Sequence, residues 1–389
     1  MLLTVITVNM ATAWADEIAA AILVVKVQEP LPISRLDLPP EDLGFAGARL
    51  ALQDNQTTGR FQNQQFVLHE RFASPQSAPT VLAELMAQGL RFIAVLAPAE
   101  TLLQLSTKAG KQSLLINVSA PENNLRGHLC RSNILHIAPS RAMLTDALVQ
   151  YLVWKRWTQV SLIAGSHAKD LLLANSYRAS LHKFGANLDH NLTYQDTGGG
   201  RRSDTGHVLV QRQMPVFTQP LPKSDILIAA DESNVFGAHL PYHTWKPSLV
   251  AGSSGLRPTS WHPALEAWGA TQFQRRFEAV TNRHMRPEDY QAWMALRVLG
   301  EAASRTKSSD VNKLKAYILS PDFEMAAFKG QKLTFRRWNG QLRQPVLLTH
   351  DKVLISVSPQ EGFLHQHSLL DTLGQDQADS KCDQFGQGS

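Results

Sequence analysis

Strands and helices alternate through roughly the first 120 residues of this chain, and the alternation restarts after residue 160. That pattern is the tightest constraint in the sequence. Alternation at this spacing makes βαβ units, and βαβ units make parallel sheets covered by helices on both faces. Ile18 to Val27 is a continuous apolar run, as a strand buried on both faces requires. A helix from Gly44 to Asn55 follows, then a strand in which Phe66, Leu68 and Phe72 alternate. Val81, Leu82, Leu85 and Met86 predict a helix stopped by Gly89. Strand Phe92–Ala97, helix Thr101–Ala109 and strand Ser113–Val118 complete the first run.

Residues 134 to 164 join the two runs. A short extended segment ends in Pro139, and Ser140 is placed to cap the next helix. Met143, Leu144, Ala147, Leu148, Tyr151 and Leu152 keep helical spacing through it. Strand Val160–Ala164 opens the second run, followed by a helix from Asp170 to Phe184 with Gly185 as its C-cap. Strands are expected near Asn187–Tyr194, over Asp225–Ala230 and over Ser248–Gly252. The glycines of Asp196–Asp204 form a flexible loop and not a phosphate cradle, because no strand and helix flank them in register. Helices are expected over Trp261–Phe277, Pro287–Arg305 and Leu314–Ile318. Leu333–Phe335 and Pro345–Leu348 with Val353–Ser356 are expected to pair antiparallel across Trp338–Gly340, before a polar tail from Gly362. These runs fit two lobes with a hinge at 134–164, or one continuous large sheet.

A chain of 389 residues can bury two cores. Its net charge of +5 is carried by scattered Lys and Arg, without the basic stripe a nucleic-acid footprint needs. Leu2 to Ala13 is short and apolar, and Ala13-Trp14-Ala15 has the small-x-small form of an export cleavage site, so residues 1–15 read as a secretory leader lacking its basic start. No later stretch has the length of a membrane span. Cys130 and Cys382 are the two cysteines. In an oxidising compartment they would bond; two buried thiols are the alternative.

Enzyme motifs are missing. Gly252-Ser-Ser-Gly255 is one residue short of a nucleophile elbow, and there is neither a Walker loop nor a His-Glu-x-x-His pair. The acidic residues do not space as an EF-hand. His128, Cys130 and His136 could approach a metal only with Cys130 unbonded, and no metal site or cofactor is expected.

Two βαβ lobes, a long C-terminal helix pair and a closing hairpin resemble the type I periplasmic binding proteins of branched-chain amino acid ABC transporters. More specific runs resemble the subgroup associated with PQQ-dependent alcohol dehydrogenase systems. These are His136–Ser140, Asp146–Leu152, Trp268–Phe277, Phe328–Gly330, Trp338–Pro345 and Leu370–Gly374. The resemblance implies an α/β fold of two doubly wound parallel-sheet lobes joined by three crossings, near Ile137–Ser140, Gly252–Leu256 and Gly330–Leu333. Lobe 1 would comprise 18–137 plus 257–330, lobe 2 would comprise 138–256 plus 331–360, and 361–389 would be a tail.

In such lobes ligands sit beyond the carboxyl ends of the strands, and hinge closure traps them. The candidates are then the first polar residues after each strand: Glu100, Thr101 and Ser119 in lobe 1, and Ser166, Asp170, Asp231 and Glu232 in lobe 2. Each has a plainer role open to it, as a solvated loop residue or, for Asp170, a helix cap. In the amino-acid-binding relatives a lobe-2 acid holds the ligand ammonium, which suits Asp231 or Glu232. Ala97-Pro98-Ala99 departs from their Ser/Thr-rich turn, which argues against an ordinary α-amino acid. The expected function is a monomeric periplasmic solute-binding protein, not an enzyme. It would take a small molecule to an ABC permease in the inner membrane. A ligand-sensing or accessory protein of a quinoprotein dehydrogenase is the alternative.

Overall fold

The computed structural model describes residues 16–28, 32–34, 37–196 and 209–385. The leader expected over residues 1–15, and all but the first residue of the loop Asp196–Asp204, lie outside them. Strand β1 (Asp16–Val25) shows why the opening apolar run is continuous. Ile18, Ala20, Ile22 and Val24 point into one core, while Ala21, Leu23 and Val25 point into another on the opposite face. A strand covered by helices on both sides has no polar face to alternate with.

Around β1 the chain builds α1 (Phe45–Gly59), β2 (Gln64–Ala73), α2 (Ala78–Ala87), β3 (Phe92–Leu96), α3 (Ala99–Ala109), β4 (Leu114–Asn117) and β5 (Ile134–His136). The five strands are all parallel, in the order β2-β1-β3-β4-β5. After α4 (Arg141–Trp154) the plan repeats with β6 (Gln159–Gly165), α5 (Ala168–Phe184), β7 (Asn187–Tyr194), α6 (Val210–Thr218), β8 (Ile226–Ala230), the short α7 (Leu240–His243) and β9 (Val250–Gly252). These four strands are parallel too, in the order β7-β6-β8-β9. The nine parallel strands thus form two separate sheets, not one large one. In each, strand order reverses beside the first strand, between β1 and β3 and between β6 and β8, the place where doubly wound sheets leave a crevice.

The remaining elements are β10 (Arg257–Thr259), α8 (Ala270–Thr281), α9 (Pro287–Thr306), α10 (Val311–Ile318), β11 (Met325–Ala326), β12 (Lys332–Leu333), β13 (Val346–His350) and β14 (Val353–Ser358). Helix α9 returns to the first sheet's layer and lies against α1, where Gly47 and Gly300 permit close approach. A Cβ on Gly47 would fall 1.8 Å from the Asp289 carbonyl oxygen.

Two expectations are corrected. The helix expected from Trp261 begins at Ala270, because Trp268 and Gly269 both take positive φ (56° and 81°) and a helix cannot run through them. Trp261 is instead buried and stacked on Tyr290 with ring centroids 4.5 Å apart. The hairpin expected across Trp338–Gly340 forms elsewhere. β13 pairs with β14 across Asp351 and Lys352, while Leu333 pairs with Met325 and Phe335 bridges Leu342. A two-residue loop matches the twist of its strands, so Asp351-Lys352 closes the pair and the Trp338 turn closes only a small local loop. Helix α6, which the sequence reading omits, carries Pro215 in its interior.

The Cys130–Cys382 disulfide is formed. The tail it holds is not simply polar: Leu370, Asp371, Thr372 and Leu373 are all buried. Asp371 accepts hydrogen bonds from Arg336 and Arg343, and the Asp146 carboxylate accepts from the Gly374 N–H at 2.7 Å.

Candidate functional site

The loops beyond the carboxyl ends of the two sheets meet on Arg141, the first residue of α4. A cation there opposes the positive end of the helix dipole, and Arg141 is only 3 % exposed, so it needs acidic partners. It has two. Nε and an Nη donate to Glu232 of the β8 loop at 2.6 Å each, a bidentate pair, and the same Nη donates to Glu122 of the β4 loop at 3.1 Å. One guanidinium thus touches loops from both sheets, which fixes their carboxyl edges as facing each other. The contact is reinforced by Asn123, whose side chain accepts from the Ala142 N–H and donates to Ser176. The second carboxylate oxygen of Glu122 is buried without a hydrogen-bond partner.

On the first sheet, Ser119 locks the ends of β3 and β4 together: its hydroxyl accepts from Ala97 N–H at 3.0 Å and donates to Ala97 O at 3.1 Å. Thr101 is buried in the first turn of α3 beside exposed Glu100. On the second sheet, Ser166 accepts from the Asp196 N–H. Asp231 is buried at the end of β8 and accepts from the backbone N–H groups of Val235, Phe236 and Gly237 between 2.6 and 2.9 Å. Its carboxylate holds the turn that presents Glu232. Asp170, in the first turn of α5, accepts from the Ser233 N–H at 2.7 Å, and its other oxygen is packed against Gly165 without a partner. Burial pushes its carboxyl above the usual range, partly offset by the hydrogen bond from the Ser233 N–H. Asp170, Asp231 and Glu232 therefore lie together, and Glu232 is the one that reaches the facing edge.

Sequence reasoning missed Arg141 and Glu122. The signal available was an arginine directly after an N-cap serine, where the helix dipole disfavours it unless carboxylates gather round.

Behind the site, residues 340–344 run along the edge of β5, and Leu342 packs into the same core as Leu135 and Ile137. The His136 N–H donates to Gly340 O, and the Leu342 N–H to His136 O, at 2.8 Å each. Gln341 donates to the carbonyls of His136 and Ala138, and Gln344 to that of Ile137. Arg126 donates to Gln341 Oε1 and Ala138 O without touching a carboxylate, and burial lowers it to about 9. Lys329 is likewise buried, donating to Gln344 Oε1 and Pro345 O. Among the described residues no three His, Cys, Asp or Glu side chains gather as metal ligands, and no helix is long and apolar enough to cross a membrane.

No protein-family profile and no curated protein matches this chain. Solved structures do. A branched-chain amino acid ABC transporter periplasmic ligand-binding protein from Burkholderia xenovorans superimposes with a TM-score of 0.72, covering 95 % of this chain and 100 % of that one at 14 % identity. The fold is that of the type I periplasmic binding proteins. The closed conformation of a leucine-, isoleucine-, valine-, threonine- and alanine-binding protein from Brucella ovis gives 0.70 over 87 % of this chain and 94 % of that one, at 14 % identity. A solute-binding protein from Rhodopseudomonas palustris, in complex with 3,4-dihydroxybenzoic acid, gives 0.62 over 88 % and 97 %, at 10 % identity.

Proposed function

We propose that this chain is a periplasmic solute-binding protein that closes on a small molecule between two lobes and hands it to an ABC permease, without catalysing a reaction. The observation that carries this is Arg141, held at once by loops from the carboxyl edges of both sheets. The fold supports it, since solved neighbours include ligand- and solute-binding proteins of ABC transporters. The lobe boundaries expected from the sequence, 18–137 plus 257–330 and 138–256 plus 331–360, are part of this reading.

The geometry favours a ligand with a carboxylate. Glu232 holds Arg141 bidentately, whereas Glu122 makes one longer contact, so a ligand carboxylate would displace Glu122 and keep Glu232 as anchor. Thr101, Glu100 and Ser119 would form the lobe-1 wall, and Ser166, Asp170 and Asp231 would shape the lobe-2 wall. A carboxylic acid is what one solved neighbour holds, and it is what oxidation of an alcohol yields. This agrees with the runs resembling the PQQ-dependent alcohol dehydrogenase subgroup.

The test is a panel of small carboxylic acids, with their alcohols and aldehydes, read by small-angle scattering and thermal unfolding. An acid should raise the melting midpoint and compact the protein. Neither effect from any member of the panel would overturn the proposal.

A further inference from the structure

A cavity lies at the amino ends of the first sheet's strands, away from the carboxyl edge. It has a volume of about 240 Å³ and is lined by Lys111, Ser113, Leu114, Ser132, Asn133, Val311, Asn312 and Lys315. Ser113 precedes β4 and Ser119 follows it, so the cavity is about 20 Å from the cleft along the strand, at roughly 3.3 Å per residue.

Its lining is cationic and incompletely satisfied. Lys111 and Lys315 approach it from separate elements, the turn before β4 and helix α10, and among the described residues neither forms an ion pair. No acidic residue lines the space. Burial and then the charge of Lys111 push the Lys315 ammonium below its ordinary value, so the two cations feel each other. Ser113 is 2 % exposed and its hydroxyl has no partner. Val311 and Asn312 stand in the first turn of α10, where the backbone favours negative charge. The nearest acid in sequence, Asp310, caps that helix by accepting the Lys313 N–H. Buried polar groups of native proteins find partners, and half-buried Lys315, lining the space with exposed Lys111, has no anionic partner there.

We propose that this cavity binds a small oxyanion, a phosphate or carboxylate group, between Lys111 and Lys315, with Ser113 and the α10 N-terminus completing its hydrogen bonds. The site is independent of the cleft. An anion there ties α10 to the start of β4 and β5, so its occupancy couples oxyanion concentration to the stability of that lobe.

Isothermal titration of the full chain with inorganic phosphate, and separately with acetate, at constant ionic strength should show for at least one anion a binding component distinct from any carboxylate binding at Arg141 in the cleft. Lys111→Gln and Lys315→Gln should each weaken it about tenfold, the loss of one charge-assisted hydrogen bond. Ser113→Ala should weaken it less. Arg141→Gln, in the cleft, should leave it unchanged. The anion-free melting midpoint of the lysine variants should hold or rise, since a repulsion is removed, while its rise on adding the anion is lost. No binding of either anion, binding that survives the double lysine change, or binding abolished only by Arg141→Gln would each overturn the site.

Discussion

Single residues carry most of the chemistry, and their partners could not be assigned before the chain was folded. Arg141 is the clearest case. Arg141→Gln strands two carboxylates, and because both remain partly exposed the expected loss is about 1–3 kcal/mol in urea unfolding at neutral pH. The same variant should lose affinity for carboxylate ligands, whereas Glu122→Gln should gain it by removing the competitor. His136 gives a pH dependence. It is fully buried, and burial together with the charge of Arg126 holds its pKa well below the ordinary value. The unfolded chain, titrating near 6.5, therefore takes up the proton first. Stability is complete above that pH and declines as pH falls toward the lowered folded value, by up to about 1.4 kcal/mol per pH unit. Urea midpoints between pH 7.5 and 5 should fall less steeply in His136→Gln. Ser140 shows what was legible at this scale: it caps α4 by accepting the Met143 N–H, as its position before the helix implies. Asp231 shows what was not. A buried carboxylate serving three backbone N–H groups and an exposed one reaching a ligand look identical in a sequence.

Elements were legible where burial imposes a period. The core strands could be read because two-sided burial demands unbroken apolar runs, and α5 because Gly185 ends it in the left-handed region. The boundary at Trp268–Gly269 could not, since apolar Trp261 and Leu265 continue a helical spacing while serving as core residues in a non-helical segment. Helix α6 was hidden by Pro215, which normally argues against a helix interior. The α1–α9 contact supplies a sharp test. Gly47→Ala drives a Cβ onto the Asp289 backbone, so it should cost at least about 3 kcal/mol, the upper end for overpacking. Gly89→Ala, with positive φ but open space around it, should cost only about 1–2 kcal/mol of backbone strain. Urea titration of the two variants separates steric from conformational cost.

For the whole molecule, the tail is a strap. Cys382 binds it to Cys130, Asp371 to Arg336 and Arg343, and Gly374 to Asp146 on α4, with Lys183 donating to Asp146 and to the Thr372 and Gly374 carbonyls. The disulfide closes a loop of 252 residues. Cys130→Ala with Cys382→Ala should then destabilise the chain by about 5.5 kcal/mol on the loop-entropy estimate. The tail itself should stay docked through Asp371, and urea midpoints alongside proteolysis of the C-terminus would check both.

By itself the sequence determined the class of fold, the repeat of the βαβ plan and the pair of cysteines available to bond. Those follow from local periodicity and composition, which act within a few residues. Only the tertiary structure decided that Arg141 joins Glu122 and Glu232, that Asp231 is spent on its own turn, and that Lys111 meets Lys315 across 204 residues of chain. Such meetings depend on the register and order of strands, and no residue's own neighbours encode them.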